Sequence, residues 1–203
     1  MTLNRRSFAV ALVLAAFATP LAAAPDLKNT VYLDTKYGRI TIQLRPDLAP
    51  KNVAQIETLT KQGFYNGIVF HRVIAGFMAQ TGDPTGTGSG GSKLPNLPAE
   101  FSQKAHFVRG TVGMARTNDP NSANSQFFIC YAPAPFLDGK YTIVGQVTSG
   151  MNVVDKLKKG SGESGMVTNP DKILKMQLAS AAGPAKKTAK KTAKMHSEPH
   201  KAQ

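Results

Sequence analysis

The 203-residue sequence contains a single cysteine, Cys130, and no tryptophan. One thiol excludes an intramolecular disulfide framework and any metal site built from several cysteines. The apolar run near the start, Phe8–Ala18, covers 11 residues, which is too few for a membrane-spanning helix. With 41% hydrophobic and 18% charged residues, the chain is neither collagen-like nor wholly disordered. Its length suits one medium domain with appendages.

Acidic side chains are scarce relative to basic ones, since 12 Asp and Glu stand against 25 Lys and Arg. The net charge of +13 raises the question of nucleic-acid binding, because phosphate neutralisation needs clustered Lys and Arg. The excess is spread along the chain, however: residues 25–183 carry a net charge of only +6. The lysines are also not interleaved with stacking aromatic residues. The sequence therefore predicts no specific nucleic-acid partner.

The N-terminus has the three parts of a secretory signal. Arg5 and Arg6 precede the apolar run, and the small residues of Leu21–Ala24 follow it. We expect a signal peptide over residues 1–23, cleaved within about 22–24, and therefore an exported protein located in a bacterial periplasm. The paired arginines also fit a twin-arginine export signal, so the Sec and Tat routes both stay open.

The C-terminus changes composition at Gly183. Residues 184–203 hold six Lys and one Glu, and Met195 is their only large aliphatic residue. Such a segment cannot bury an apolar face, and we expect a disordered Lys-rich tail. Two interpretations stay open: a solvated appendage, or a polycation that makes weak contact with an anionic surface. His196 and His200 lack rigid flanks and are not predicted to bind a metal.

The intervening segment, residues 24–183, is predicted to form the folded domain. Val31–Thr35 and Arg39–Leu44 alternate apolar and polar residues on either side of a Gly-containing turn, which is typical of a hairpin. Pro50 at a helix start and Gly63 just past its end predict an α-helix. The face of this helix that we expect to be buried comprises Val53, Ile56 and Leu59.

Short apolar strands dominate the rest of the domain. They are predicted at Ile68–Val73, Phe77–Gln80, Gly110–Met114, Gln126–Cys130 and Ile143–Val147. A second short helix is predicted at about Asn152–Lys158. Many short strands, Gly- and Pro-rich turns and few helices favour a mainly β fold, a closed antiparallel barrel rather than a βαβ sheet.

A glycine-rich segment, Gly86–Gly91, formally matches the dinucleotide-binding pattern G-x-G-x-x-G. A true site needs a helix that begins there and holds the pyrophosphate at its N-terminus. The following residues, Lys93–Pro98, contain two prolines that prevent such a helix. We therefore expect a flexible surface loop close to a substrate groove, and no nucleotide cofactor.

Three stretches combine a cation, amides and large apolar side chains: Phe70–Asp83, Asn124–Cys130 and Phe136–Lys140. Taken alone, these residue types do not specify a reaction, because Phe and Met in strands usually belong to the core. Their order and spacing, however, resemble the cyclophilin family of peptidyl-prolyl cis-trans isomerases. The resemblance rests on F-H-R-x-I-x-G-F-M-x-Q-x-G-D, N-S-Q-F-F-I and F-L-D-G-K, and runs from about Thr30 to Leu178.

The resemblance implies a closed eight-stranded antiparallel barrel capped by two α-helices. It also implies an enzyme that accelerates X–Pro isomerisation, here during the folding of exported proteins, with no metal and no other cofactor. Its partners would be proline-containing peptides and unfolded exported proteins. A monomer without a transmembrane segment is expected. The alternative is a proline-peptide binding chaperone or adaptor that the basic tail docks to anionic surfaces.

The resemblance also implies roles for individual residues. Arg72 is the expected catalytic residue, whose guanidinium donates toward the prolyl nitrogen. The implied substrate-binding residues are Phe77, Met78, Phe128 and Leu137 in the proline pocket, Phe136 and Tyr141 at its rim, Gln80 and Gln126 on its polar side, and Ala115 and Arg116 at a peptide-pairing edge. His71 precedes the catalytic arginine and is expected to be structural, since this reaction needs no general base.

Overall fold

A computed structural model describes residues 26–182, which form an antiparallel β-sheet with two α-helices. The strands are β1 (Thr30–Thr35), β2 (Gly38–Leu44), β3 (Arg72–Ile74), β4 (Met78–Thr81), β5 (Thr111–Met114), β6 (Phe127–Cys130), β7 (Ile143–Ser149) and β8 (Lys175–Leu178). The helices are α1 (Pro50–Lys61) and α2 (Met151–Val154), and short 3₁₀ turns occur at Leu27–Asn29, Pro135–Leu137 and Ala179–Ala181. The predicted signal peptide and Lys-rich tail lie outside the described residues.

The eight strands are ordered β3-β4-β6-β5-β7-β2-β1-β8. The mainly β antiparallel fold is confirmed, but the prediction of a closed barrel was wrong: β3 and β8 do not pair, and the sheet is a curled half-barrel. Single bridges join Val69 to Lys172 and Arg72 to Met166 across this gap. Between them Asn169 has a φ of 53°, a left-handed conformation that interrupts extended pairing. No continuous ladder therefore forms along this part of the chain.

The first hairpin and the first helix follow the sequence prediction closely. Thr35 pairs with Gly38 across the turn between β1 and β2, and Gly38 has a φ of 129° that disfavours other residues. Helix α1 begins at Pro50, and two of its N-terminal amides donate hydrogen bonds to a residue that is distant in the sequence. The carboxylate of Glu100 accepts hydrogen bonds from the amides of Lys51 at 3.1 Å and Asn52 at 2.9 Å. The predicted buried face of α1 is confirmed.

Most strands lie within two residues of their predicted bounds, but β3 and α2 are several residues shorter than predicted because distant segments bond to their backbone. Strand β3 begins at Arg72 rather than Ile68, since the amide of Phe70 donates to the carbonyl of Asp171 at 2.9 Å in an irregular contact. Helix α2 ends at Val154 rather than near Lys158. The amide of Lys158 donates to the Asp171 carboxylate at 2.8 Å, which takes the chain out of the helical path.

The core falls into two hydrophobic clusters. The larger one fills the curl of the sheet beneath α1, where a cavity of only about 10 Å³ remains among its side chains. The smaller one lies under the surface formed by β4, β5 and β6, and comprises Leu48, Met78, Phe107, Phe128, Cys130, Ala134, Leu137 and Ile143. Within residues 26–182, no helix is both long and apolar enough to cross a membrane.

Candidate active site

Two adjoining cavities open above the smaller cluster. The first, which we call the apolar cavity, has a volume of about 400 Å³ and is lined by Arg72, Phe77, Met78, Gln80, Ala115, Arg116, Phe128, Phe136, Leu137 and Tyr141. The second, the polar cavity, has a volume of about 490 Å³ and is lined by Gln80, Gly88, Ser89, Gly90, Gly91, Ser92, Asn96, Ala115, Arg116, Thr117, Ser122, Asn124 and Gln126. The structure thus places ten of the predicted site residues around the apolar cavity and Gln126 around the polar one.

The apolar cavity is formed by alternate side chains of paired strands. Gln80 of β4 lies opposite Phe128 of β6, and Met78 lies opposite Cys130. Since successive side chains of a strand point to opposite faces, Met78, Gln80 and Phe128 share one face. The turn Pro135–Leu137 then adds a wall from a distant part of the chain. Sheet pairing therefore fixes the floor of the cavity.

The rim of this cavity is aromatic. The exposed ring of Phe136 lies 5.4 Å from that of Phe77, and the ring of Tyr141 meets Phe128 edge-on at 6.0 Å. Such tilted and edge-to-face arrangements are favourable for aromatic pairs. The cavity is therefore an apolar slot open on one side, suited to a small ring.

Two residues that sequence reasoning missed support the floor from below. Phe107 stacks on Phe128 at 5.8 Å, and the Phe107 amide donates to the carboxylate of Asp138 at 2.8 Å. Gly113 lies beneath both rings, and a Cβ there would come within 2.6 Å of the Phe128 ring. A lone glycine inside a predicted strand signals such a close approach. No local sequence pattern predicts that Phe107 supports the cavity floor.

Arg72 lies half-buried at the start of β3, with its guanidinium held at two points. Its Nε donates to the carbonyl of Ser164 at 2.9 Å, and its Nη1 donates to Oε1 of Gln80 at 3.2 Å. These contacts fix the plane of the group beside the apolar cavity that it lines. The contact with Ser164 was not predicted, because 92 positions separate the two residues.

The segment that carries Ser164 packs against the free edge of β3. The amide of Val73 donates to the carbonyl of Gly165 at 2.8 Å, and the Val73 carbonyl accepts from Gly160 at 2.9 Å. Gly165 has a φ of 68°, and a Cβ at this position would overlap the side chain of Ile74. Glycine is therefore required for this segment to approach β3 closely enough to reach Arg72.

A chain of amides connects Arg72 to the glycine-rich loop. Nε2 of Gln80 donates to Oε1 of Gln126 at 2.8 Å. Nε2 of Gln126 in turn donates to the carbonyls of Gly88 at 3.0 Å and Gly90 at 2.7 Å. In each side-chain amide the oxygen accepts from the group on the Arg72 side, and the nitrogen donates toward the loop, so the orientation of both amides is fixed. The predicted polar side of the site is therefore one continuous hydrogen-bonded network.

The glycine-rich loop wraps around the buried carboxylate of Asp83. This carboxylate accepts hydrogen bonds from the amides of Gly88 at 2.6 Å, Gly90 at 3.1 Å and Thr85 at 2.7 Å. Burial acts to raise the pKa of Asp83, but the hydrogen bond from the Thr85 hydroxyl at 2.8 Å and the three from these amides outweigh it and bring the pKa down to about 2. The backbone donors that a phosphate would need are thus occupied, which agrees with the rejection of a nucleotide site.

His71 is 1% exposed and lines neither cavity. Its ring nitrogens have no hydrogen-bond partner among the described residues. Burial lowers the pKa of His71; the charge of Asp83 acts against this shift, and that of Arg72 adds to it. A neutral, enclosed imidazole cannot contact a substrate, which fits the structural role expected for it.

Arg116 lies on the ridge that the two cavities share with Gln80 and Ala115. Its guanidinium stacks 4.4 Å from the centre of the Tyr141 ring. Its Nη1 donates to the carbonyl of Thr117 at 2.8 Å, and its Nη2 donates to that of Lys140 at 2.9 Å. The group is therefore held in one orientation.

The arrangement limits the chemistry at the site. The residues that line the apolar cavity include no Ser, Cys, His, Asp or Glu. Among them only Tyr141, whose ring packs against Arg116 and Phe128, is of a type that serves as a nucleophile or general base. Across residues 26–182, no cluster of three or more His, Cys, Asp and Glu side chains is placed to hold a metal ion. What the site offers is an apolar slot, a fixed cationic donor and oriented amides.

Comparison with known proteins gives the family. The family model described as "Cyclophilin type peptidyl-prolyl cis-trans isomerase/CLD" matches residues 30–178. A Brucella suis protein named "Probable peptidyl-prolyl cis-trans isomerase" is 58% identical over 181 residues, which covers 83% of this chain and 91% of that protein.

Two crystal structures are similar in fold. A cyclophilin from Hirschia baltica superposes with a TM-score of 0.69 at 30% identity, covering 78% of this chain and 77% of the other. A cyclophilin-type isomerase from Cryptosporidium parvum, crystallised in the presence of the dipeptide Ala-Pro, gives 0.67 at 31% identity, with 73% and 98% covered. Together with the family model, these matches establish that the chain belongs to the cyclophilin family of peptidyl-prolyl cis-trans isomerases.

Proposed function

We propose that Arg72 is the catalytic residue of this isomerase and that the apolar cavity holds the proline ring of the substrate. The observation that carries the proposal is a guanidinium anchored at both Nε and Nη1 beside an apolar cavity of about 400 Å³. A similar protein crystallised with Ala-Pro supports proline-containing peptides as the substrate class.

The barrier to the reaction arises from amide resonance. Partial double-bond character of the C–N bond gives a rotation barrier of roughly 18–20 kcal/mol, and X–Pro bonds exchange over tens to hundreds of seconds. A hydrogen bond from Arg72 to the prolyl nitrogen localises the nitrogen lone pair and stabilises the twisted, pyramidal state. The resonance that resists rotation is thereby reduced.

An arginine suits this role for two reasons. It stays charged at every working pH, so the donor is always present. It is also preorganised, because Ser164 and Gln80 fix its orientation before substrate arrives. A rate gain of about five decades needs roughly 7 kcal/mol of differential stabilisation of the transition state. The bond rotates without proton transfer or a covalent intermediate.

The remaining residues orient the peptide. Met78, Phe128 and Leu137 enclose the ring, while the half-buried Phe77 and the exposed Phe136 cover its outer edge. On the polar side, Gln80 and Gln126 present amides whose orientation the network has already set, so they bind substrate carbonyls with little reorganisation. The ring anchors the proline while the preceding carbonyl rotates.

A coupled assay tests the role of Arg72. A protease that cleaves only the trans form of an X–Pro peptide reports the isomerisation rate. Removing one preorganised donor, as in Arg72→Ala, is expected to lower kcat/KM by about 10²- to 10³-fold. Arg45→Ala is the matched control, because Arg45 pairs with Asp47 and lines neither cavity. Equal loss in both variants would remove the specific role of Arg72.

We also propose that this isomerase assists the folding of exported proteins in the periplasm. The N-terminal pattern of paired arginines, apolar run and small residues supports this location. Expression of the full chain in a Gram-negative bacterium, followed by fractionation and N-terminal sequencing, is expected to yield a periplasmic protein that begins within about residues 23–25. Cytoplasmic protein that retains residues 1–22 would contradict the proposal.

A binding function without catalysis is the competing hypothesis, in which the basic tail docks the domain to anionic surfaces. Truncation after Ala182 separates the two. The truncated protein is expected to isomerise short peptides at the full rate and to bind anionic vesicles more weakly at low salt. Wild-type protein that binds proline peptides without accelerating their isomerisation would favour the adaptor. Equal vesicle binding by both proteins would exclude tail docking.

A further inference from the structure

The arginines of residues 26–182 fall into two groups. Three pair with carboxylates: Arg39 with Asp34 at 2.7 Å, Arg45 with Asp47 at 2.7 Å and Arg109 with Asp155 at 2.8 Å. The other two, Arg72 and Arg116, line the cavities and form no ion pair with any described residue. The site therefore concentrates the uncompensated guanidinium charge of the domain.

Arg116 is the member of this pair that the isomerisation mechanism does not use. Its partners, the carbonyls of Thr117 and Lys140 and the ring of Tyr141, orient the guanidinium without neutralising it. Its Nε is buried and has no hydrogen-bond acceptor within the described part of the chain. Withdrawing a charge from water without an opposite charge is unfavourable. Arg116 as a whole is half-buried and lines both cavities, so a ligand carboxylate bound there would supply the opposite charge that no described residue provides.

The cavities supply no carboxylate that could pair with Arg116. No Asp or Glu lines either cavity, and the other side chains of the polar cavity are neutral. Two acidic groups on neighbouring loops, Asp83 and Asp119, direct their carboxylates to backbone amides and form no ion pair with Arg116. The carboxylate of Asp83 accepts backbone amides of the glycine-rich loop, and that of Asp119 accepts the amide of Asn121 at 2.8 Å. Arg116 is thus the one charged side chain among the residues that line the polar cavity, and its neighbours there are neutral hydrogen-bonding groups.

The position of Arg72 indicates which part of a peptide enters the polar cavity. With the proline ring in the apolar cavity, the prolyl nitrogen faces Arg72 and its partner Gln80. Gln80 also lines the polar cavity. The chain that leaves the ring through its nitrogen is the part that precedes proline. Its side chains are therefore directed toward the polar cavity and the ridge at Arg116.

We propose that Arg116 is a specificity-determining residue that makes the enzyme favour substrates with Asp or Glu in the two positions before proline. This inference rests on the proposed function of the apolar cavity. The carboxylate would bind the fixed guanidinium and the neutral donors of the polar cavity. Because this interaction exists before and during rotation of the bond, it acts mainly on KM rather than on kcat.

The expected preference is modest and depends on salt. A half-exposed ion pair contributes about 0.2–1 kcal/mol, which corresponds to at most about a fivefold change in kcat/KM. Screening reduces this contribution as ionic strength rises. A Lys at the same peptide position is repelled, so the ratio between Glu and Lys substrates is the most sensitive measure.

The test uses three peptides that differ only in carrying Glu, Gln or Lys at the second position before proline. Wild-type enzyme is expected to favour Glu over Lys about fivefold at about 20 mM salt, and less at about 500 mM. Arg116→Gln should bring the ratio close to one, and Arg116→Lys should retain part of it. Arg45→Gln, which removes the same charge outside both cavities, should preserve the wild-type ratio.

Each outcome decides one question. Equal rates for the Glu and Lys peptides with wild-type enzyme at low salt would overturn the role of Arg116, as would a preference that survives in Arg116→Gln. If Arg116→Gln fails to fold, the salt dependence of wild type and the Arg116→Lys ratio carry the test. Failure to accelerate even the Gln peptide would instead overturn the proposed catalytic function, which keeps the two failures distinct.

Discussion

The two cavities share three residues but are built from different parts of the protein. The apolar cavity is formed by side chains of paired strands, and its floor belongs to a buried hydrophobic cluster. The polar cavity is formed largely by loop backbone and by amide side chains that hold it. The apolar cavity is therefore expected to select a substrate group by burial and shape, and the polar cavity by hydrogen bonding and charge.

Because of this difference, the apolar cavity is expected to contribute to both the stability and the substrate binding of the protein, whereas the polar cavity is expected to contribute mainly to substrate specificity. A change in the floor of the apolar cavity removes core packing together with substrate contact, so both properties fall. A change in the polar network removes hydrogen bonds at the surface and affects the core little. This contrast can be tested by substitutions in the two cavities. Their expected effects on the free energy of unfolding and on the kinetic constants range from large to small.

The largest effect is expected from Phe128→Ala. Phe128 is 5% exposed and packs against Phe107 and Tyr141. Truncation should lower the free energy of unfolding by about 3–5 kcal/mol, measured by urea denaturation, and should raise KM. Phe136→Ala is the control on the rim, since Phe136 is 59% exposed and should cost stability little. Equal losses would contradict the assignment of Phe128 to the core floor.

The next effect is expected from Asp83→Asn in the loop of the polar cavity. A folded-state pKa of about 2 against a reference value of 3.8 means that the charged Asp83 stabilises the fold by about 2 kcal/mol. Because the folded pKa is lowered, this stability is present above pH 3.8 and is lost as the pH falls toward 2. The difference in the free energy of unfolding between wild type and Asp83→Asn should therefore narrow as the pH falls from 3.8 toward 2.

Asp47→Asn is the matched control for the loop prediction. Asp47 is exposed and pairs with Arg45 at the surface, where an ion pair contributes little. Denaturation curves of both variants, measured from neutral to acidic pH, make the comparison. A gap for Asp83→Asn that stays constant with pH would show that the carboxylate does not hold the loop through its charge.

A smaller effect is expected from Gln126→Ala, which interrupts the amide network between Arg72 and the glycine-rich loop. Loss of hydrogen bonds at a half-buried position should cost about 1 kcal/mol of stability. Gln80 then loses the partner that orients it, so kcat should fall more than stability suggests. Gln55→Ala, whose amide donates to the carbonyls of Pro95 and Asn124 outside the network, is the control and should leave kcat unchanged.

No effect is expected from pH in the neutral range. Burial keeps the pKa of His71 below its usual value of 6.5, and no His, Cys, Asp or Glu lines either cavity. The kcat/KM for an uncharged peptide should therefore be constant between about pH 6.5 and 9. A profile that rises with an apparent pKa inside this window would identify a titrating group that the mechanism omits.

The structure places the predicted site residues around the two cavities, whereas the contacts that hold these residues were not predicted. Eight of the eleven predicted site residues lie in the three motifs that carry the resemblance to the cyclophilin family, and the other three, Ala115, Arg116 and Tyr141, lie outside those motifs. The contacts that hold them join distant segments, as with Arg72 and Ser164, or Phe107 and Asp138. No local pattern encodes such pairs, because they form only when the sheet curls.

The same limit explains the error in the fold. Alternation and turn residues predicted the individual strands, yet closure of the barrel depends on whether the two edge strands meet. The segment before β8 contains Asn169 in a left-handed conformation and forms single bridges instead of a ladder. That outcome follows from long-range packing, which the local pattern does not report. The open edge is also where Ser164 reaches Arg72.

Magnetisation exchange between the cis and trans forms of an Ala-Pro peptide tests the central claim most directly, because it measures isomerisation at equilibrium without a coupling enzyme. Catalytic amounts of wild-type protein are expected to bring exchange from tens or hundreds of seconds into the sub-second range, and Arg72→Ala to slow it by about 10²- to 10³-fold. Exchange that wild-type protein leaves unchanged, or that Arg72→Ala accelerates equally, would contradict the account.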